Sequence, residues 1–324
     1  MKQVFSPSFF LKNRHLQTVY ASFFRKFPPH DFFVEKFNLS DGDFIECYWY
    51  NKPTNKTNKP LVMLFHGLAG SYKSAYIQGM MEQFDKNGFD SVVVHFRSCS
   101  GVMNLKAKAY HSGKTDDALE YINSIKLRFS QIKLFGIGYS LGANMLLKLL
   151  GELKDDSPLT AAIAVSAPLM LDVCANSINK GFSKFYQKHL VDDLNKLLEQ
   201  KYDTHDIESL IGLKKQDVKN LKTFWEFDEA YTSKINGFKS AEDYYEKCSS
   251  KQFLKDIKTN TLLIHSLDDP FMSADMMPSK DEVSSFVELE ISKYGGHVGF
   301  VDGSLFKPKY WLEARATQYF KTFI

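Results

Sequence analysis

The five residues Gly138-Tyr139-Ser140-Leu141-Gly142 constrain this chain more than any others. An apolar run, Lys133-Leu134-Phe135-Gly136-Ile137, precedes them, and a run with helical spacing, Ala143 to Leu150, follows. Strand, G-x-S-x-G, helix is the setting in which the motif means a nucleophile elbow. In such a turn the serine takes backbone angles that crowd its neighbours. The glycines two residues to either side let strand and helix approach without a Cβ clash. The hydroxyl then stands clear of the sheet, and the helix N-terminus points its free N–H groups at the reaction site. A Gly/Ser turn of this pattern also arises by chance between two elements, so the rest of the chain must supply the other parts of a site.

Hydrophobic periodicity predicts strands over 32–38 and 44–50, joined by the turn residues Asp41-Gly42 into a hairpin, and then a polar loop over 52–59. A fully apolar strand is predicted at 61–65, and further largely apolar strands at 91–95, 133–137 and 161–165. Helices are predicted over 76–87, 115–129 and from the elbow to 153. Alternation of this kind means a mostly parallel sheet with helices on both faces. The rhythm lapses after Pro168. Residues 169–255 are charged, aromatic and helical in pattern, without an apolar strand. Strands then return at 261–265 and 287–291, with a last helix over 309–323. An all-helical stretch between strands of one sheet is most simply an inserted cap. The expected organisation is a core of 1–168 and 256–324, with 1–30 as an N-terminal arm, and a cap or lid of 169–255.

A serine hydroxyl is a weak nucleophile that needs a base, and the base needs an orienting carboxylate. On a sheet of this kind the partners follow in the order Ser, Asp, His, each on a loop after a strand. Strand 261–265 runs into Ser266-Leu267-Asp268-Asp269-Pro270-Phe271, and strand 287–291 into Ser292-Lys293-Tyr294-Gly295-Gly296-His297. The spacing favours Asp269 as the acid, with Phe271 packing behind it. Asp268 is the alternative, more naturally a turn residue that bonds the loop backbone. His297 follows two glycines that let the loop carry its ring towards the serine. Strand 61–65 runs into His66-Gly67-Leu68-Ala69-Gly70-Ser71, and a His-Gly-x turn there aims a backbone N–H at the elbow. The N–H groups of Leu68 and Leu141 are the expected oxyanion donors. His66 itself reads as an anchor of the turn.

Composition excludes some classes. The net charge of +3, with no dense Lys/Arg run, gives no case for nucleic acid. Gly136-Ile137-Gly138 is not a dinucleotide loop, because the third glycine would fall on Leu141, and no phosphate-loop lysine is present. No histidine set has metal-ligand spacing, and no cofactor is called for. The four cysteines, Cys47, Cys99, Cys174 and Cys248, are scattered and read as thiols of a cytoplasmic protein. There is no signal-peptide core and no stretch of membrane-span length. Peripheral membrane contact stays open, since Phe5, Phe9, Phe10, Phe23 and Phe24 crowd the N-terminal arm; packing of the arm on the core is the simpler reading.

Several stretches together resemble the AB hydrolase 4 family of the α/β-hydrolase superfamily, which holds YheT-type hydrolases and ABHD-type lipases. They are Leu11-Lys12-Asn13-Arg14-His15-Leu16-Gln17-Thr18, the His66 turn, Phe96-Arg97-Ser98-Cys99-Ser100-Gly101, Tyr110 to Asp117, the elbow with Asn144, Phe227-Asp228-Glu229, Gly237 to Tyr245, Leu267-Asp268-Asp269-Pro270-Phe271 and Gly295-Gly296-His297-Val298-Gly299-Phe300. The chain departs from the family pattern at Ser98 and Ala143, where glycine is usual; neither change removes a chemical group. The resemblance implies an α/β-hydrolase fold with a helical cap, and a serine hydrolase of carboxylic esters with Ser140, Asp269 and His297 as its triad.

The expected activity is hydrolysis of small-molecule esters with short- to medium-chain or lipid-like acyl groups. Thioester cleavage or acyl transfer on the same triad, and a non-catalytic ligand-binding role, are the alternatives. Phe182, Phe185, Tyr186, Phe224 and Trp225 read as pocket walls or cap core. Arg97 and His111 read as structural, with Arg97 bracing its loop through carbonyl oxygens. His15 and Gln17 read as tethers of the arm.

Overall fold

The computed structural model describes residues 5–54 and 58–324. The polar loop expected over 52–59 therefore lies partly outside the described residues. Two strands, β1 (Phe33–Asn38) and β2 (Phe44–Trp49), form the predicted antiparallel hairpin. β3 (Leu61–Phe65), β4 (Asp90–Val94), β5 (Leu134–Tyr139), β6 (Ala161–Val165), β7 (Asn260–Ser266) and β8 (Val287–Ser292) follow. Among the described residues they make one sheet in the order β1-β2-β4-β3-β5-β6-β7-β8, parallel from β4 to β8. Burial explains why the central strands read as unbroken apolar runs. β3, β5 and β6 are covered on both faces, so every side chain is buried, whereas the edge strand β8 is only partly buried.

Helix α1 (Arg14–Phe24) lies in the N-terminal arm, capped by the Asn13 side chain, which accepts from His15 and Leu16 N–H. Helices α2 (Ala75–Lys86), α3 (Asp116–Arg128) and α4 (Leu141–Leu153) follow β3, β4 and β5. Between β6 and β7 the regular elements are all helices: α5 (Leu171–Ile178), α6 (Ser183–Lys201), α7 (Ile207–Ile211), α8 (Lys215–Val218), α9 (Phe224–Phe227), α10 (Ser233–Asn236) and α11 (Ala241–Cys248). A short hairpin, β9 (Val301–Gly303) with β10 (Pro308–Tyr310), leads into α12 (Trp311–Lys321).

The sheet is packed on both sides. On one face Tyr121, Ile122 and Ile125 of α3 meet Met145, Leu146 and Leu149 of α4 over Met63 and Leu134. On the other, Ile77, Met80 and Phe84 of α2 meet Leu312, Ala316 and Phe320 of α12 over Leu64 and Ile137. The chain is thus an α/β fold with a mostly parallel central sheet. The parallel strands end together, and their carboxyl ends carry the loops described next.

Candidate active site

Helix α4 can start where it does only because of two glycines. A Cβ on Gly138 would lie 2.7 Å from the Cα of Ala143, and one on Gly142 would lie 2.4 Å from the carbonyl oxygen of Phe65. Between them Ser140 has φ 50° and ψ −118°. Its N–H donates to the Val165 carbonyl, and its own carbonyl accepts from Ala143 and Asn144. The turn is therefore held by backbone on both sides, which sustains a conformation costing roughly 1–3 kcal/mol. Ala69, Ser166, Val298 and Phe300 also have positive φ, in loops at the same end of the sheet.

Asp269 and His297 meet at 2.8 Å, carboxylate Oδ2 to ring Nδ1, and are 3% and 8% exposed. The other carboxylate oxygen of Asp269 accepts from the Phe271 N–H at 2.8 Å. Asp268 points elsewhere: its Oδ1 accepts from the Gly296 N–H at 2.9 Å. Burial pushes its carboxyl above the ordinary range. Phe271, expected behind Asp269, bonds that carboxylate through its backbone N–H, and its ring faces the imidazole. It stacks on the His297 ring, 4.1 Å between centroids and 19° from parallel.

The loop carrying His297 is secured by groups from the N-terminal arm and from the loop after β6. Thr18 Oγ1 accepts from the His297 N–H at 3.0 Å, and Ser166 Oγ accepts from the Val298 N–H at 3.1 Å. Gln17, fully buried, donates to the carbonyls of Leu11 and Val301 and accepts from the Val301 N–H. Gly296 is required here because a Cβ would strike the Arg14 carbonyl oxygen at 2.6 Å. Gln17 thus tethers the arm, as expected. Thr18 and Ser166 carry no sequence signal for this role, since nothing local marks a hydroxyl that bonds a loop 279 or 132 residues away.

Ser140, Leu68, Leu141 and His297 all line one cavity of about 970 Å³. That is at the large end of small-ligand sites, roughly 300–1,000 Å³. Ser140 Oγ makes no hydrogen bond to His297 among the described residues. Serine–base contacts often tighten only with substrate present. The Leu68 and Leu141 N–H groups donate to no acceptor among the described residues, so they remain available to an oxyanion. His66 anchors its turn. Its Nδ1 bonds the Gly67 carbonyl at 2.7 Å, and its Nε2 accepts from the Phe96 N–H. Burial pushes the His66 pKa down to about 3, so the ring stays neutral.

Arg97 is structural, but through carboxylates rather than the expected carbonyls. It grips Asp117 with two 2.7 Å bonds and reaches Asp41 and Asp43 at 3.0 Å. His111 is buried, accepts from the Gly113 N–H at 3.2 Å, and is pushed down to about 3 by burial. Asn144 joins α4 to the segments above it, donating to the Ser112 and Cys248 carbonyls and accepting from the Ser250 N–H.

The rest of the cavity wall is largely apolar, drawn mostly from α1 and from the helices between β6 and β7. Phe182, Phe185, Tyr186 and Phe224 line it, while Trp225 does not and instead packs on Tyr245. His15 bridges the two sides, its Nδ1 3.2 Å from the Tyr186 hydroxyl. Among the described residues Asp228 is the one acidic group lining the cavity, and no Lys or Arg lines it. It sits in a π-helical turn, 228–232, and accepts from the Tyr245 hydroxyl at 2.7 Å. Burial raises its pKa to about 6.

A strained serine between strand and helix, beside a buried Asp–His pair at the carboxyl end of a parallel sheet, is the arrangement of an α/β hydrolase. Residues 60–304 match the family model described as alpha/beta hydrolase fold. The chain is 38% identical over 323 residues to YheT of Escherichia coli (strain K12), named as an esterase, covering 99% of this chain and 94% of that protein. It is 29% identical over 272 residues to a monoacylglycerol lipase of Saccharomyces cerevisiae (strain ATCC 204508 / S288c), covering 80% of this chain and 60% of that one. Among solved structures, the esterase Pf2001 of Pyrococcus furiosus shares the fold at a TM-score of 0.58 and 16% identity, over 92% of this chain and 96% of that one. The chain belongs to the α/β-hydrolase fold family, among the YheT- and ABHD-type hydrolases. It is an enzyme of the esterase and lipase type.

Proposed function

We propose that the chain hydrolyses carboxylic esters with short- to medium-chain or lipid-like acyl groups through Ser140, His297 and Asp269. Ser140 Oγ attacks the ester carbonyl carbon as His297 takes its proton. Asp269 holds the imidazole with Nδ1 protonated and stabilises the cation. The oxyanion rests on the Leu68 and Leu141 N–H groups, each worth about 10²–10³ in turnover. The C–O bond to the alcohol breaks as His297 returns the proton to it. Water, deprotonated by the same imidazole, then attacks the acyl-Ser140 carbonyl, and the acid leaves with Ser140 regenerated.

One observation carries this reading: the serine at φ 50° and His297, which Asp269 holds at 2.8 Å, line the same largely apolar cavity. The names of the relatives, an esterase and a monoacylglycerol lipase, support an ester of a lipid-like acid. In this reading residues 169–255 form a cap that closes the cavity over a core of 1–168 and 256–324. All four cysteines are free, which favours a reducing compartment such as the cytoplasm. Among the described residues no helix is long and apolar enough to cross a membrane.

The deciding experiment is hydrolysis of p-nitrophenyl esters across acyl lengths by the wild type and Ser140→Ala. Activity lost in the variant, with an optimum above acetyl, is expected. Turnover that survives Ser140→Ala, or a strict preference for acetyl or charged esters, overturns the reading.

A further inference from the structure

The cavity mouth can be located from exposure. Phe23, Phe182 and Phe185 line the cavity, yet they are 71%, 56% and 69% exposed. A side chain that does both stands at the opening. The mouth therefore lies between α1 and the start of α6, where the His15 and Phe182 rings are 4.6 Å apart and Phe182 meets Phe185 at 5.1 Å.

The apolar surface continues outward from α1. Phe9 and Phe10 are 76% and 74% exposed and pack edge-on against each other. They are not a loose end. Phe5 before them is buried against Phe300 and Trp311, and Leu11 after them is fully buried. The arm is thus pinned on both sides while these two rings are presented to solvent. Phe24 is exposed and stacks near Tyr20, whose hydroxyl donates to the Leu305 carbonyl at 2.5 Å. That bond brings in the tip of the β9–β10 hairpin, where Leu305 and Phe306 are exposed, Phe306 at 94%. Scattered exposed apolar residues are ordinary, but this many tied to one helix at a cavity mouth are not.

The exposed charge around this surface is mainly basic, although the half-buried Asp302 of β9 accepts from the Ser8 N–H beside Phe9. Lys12, Arg14, Lys184 and Lys307 are exposed beside these rings. Lys12 lies over the Phe9 and Tyr294 rings. No carboxylate lies within ion-pair distance of these four among the described residues.

We propose that this face docks on an anionic lipid surface, with the aromatic side chains entering the headgroup region and the basic ones meeting lipid phosphates. Neutral protein partners would not need the flanking cations. A water-facing mouth ringed with phenylalanine would cost burial energy with nothing gained, whereas on a lipid surface the same ring joins the apolar cavity to the acyl layer. This entry route deepens the ester-hydrolase reading; the docking itself does not depend on the chemistry at Ser140.

Co-sedimentation with phosphatidylcholine vesicles, with and without phosphatidylglycerol, tests it. The wild type is expected to pellet with the anionic vesicles, less so at high salt. The Phe9→Ser/Phe10→Ser/Phe306→Ser variant should bind about tenfold more weakly or worse. The same variant should hydrolyse a soluble short-chain ester at the wild-type rate, since none of the three residues lines the cavity. Lys12→Glu/Lys307→Glu should remove the preference for phosphatidylglycerol. Wild type that stays in the supernatant, or a serine variant that pellets as well as wild type, overturns the docking. So does a wild-type dimer in sedimentation equilibrium that the serine variant abolishes, because a second copy would then own this face. Absent soluble-ester turnover in the wild type would sink the ester chemistry instead and leave vesicle binding to decide the surface.

Discussion

Phe271 lies flat on the ring of His297, and its backbone N–H donates to Asp269, the carboxylate that holds the same histidine. One residue thus fixes the imidazole from its face and steadies the acid at its edge. Phe271→Ala keeps the backbone bond and removes the wall. The ring is then freer to swing, and a misplacement of about 1 Å costs up to about 10² in rate. We expect kcat on a soluble ester to fall about 10- to 100-fold, with Phe271→Tyr largely restoring it. Unchanged kcat in the alanine variant would show that the stack does not position the base.

The two neighbouring aspartates separate cleanly. Asp269 bonds the imidazole, while Asp268 bonds the Gly296 backbone. Asp269→Asn should lower kcat by about 10⁴ through the wrong imidazole tautomer. Asp268→Asn should cost less than about tenfold, because Gly296 keeps an oxygen acceptor. Equal losses in the two variants would reverse the assignment.

Arg97 is 2% exposed and neutralises a cluster in which Asp43 and Asp117 are also buried. Arg97→Leu leaves those carboxylates without their cation, at a cost of about 3–5 kcal/mol. Urea unfolding should show it as a lower midpoint at unchanged slope. Arg97→Lys should recover only part, since an ammonium cannot make the two parallel bonds to Asp117.

Asp228 gives the fold a pH dependence of known sign. Its carboxyl titrates near 6 in the folded chain against 3.8 for the ordinary group. The folded state therefore holds this proton more tightly. Its stabilisation is complete below the ordinary value and is lost as pH rises through about 6, on the order of 2–3 kcal/mol in all. Asp228→Asn stays neutral throughout. Its Tm should fall less than that of the wild type between pH 4 and pH 7, roughly the window of the two values. Parallel Tm curves would refute the assignment.

Features set by neighbouring residues were legible before any contact was known. The elbow needs only Gly138, Ser140 and Gly142 in one turn, and the apolar runs of β3, β5 and β6 announce strands covered on both faces. The candidate acid and base were legible because each follows a strand directly. Tertiary structure alone decided what depends on approach across the chain. Helix α1 meets the His297 loop through Thr18 at a separation of 279 residues. Arg97 selects carboxylates from Asp41, Asp43 and Asp117 rather than nearby carbonyls. Phe271 lays its ring on the histidine while its backbone N–H bonds the acid. The cavity mouth is likewise assembled from α1 and α6, elements whose periodicity predicts a buried face but not which neighbour covers it. A side chain's partner is set by packing, and packing becomes defined only when distant segments are brought together.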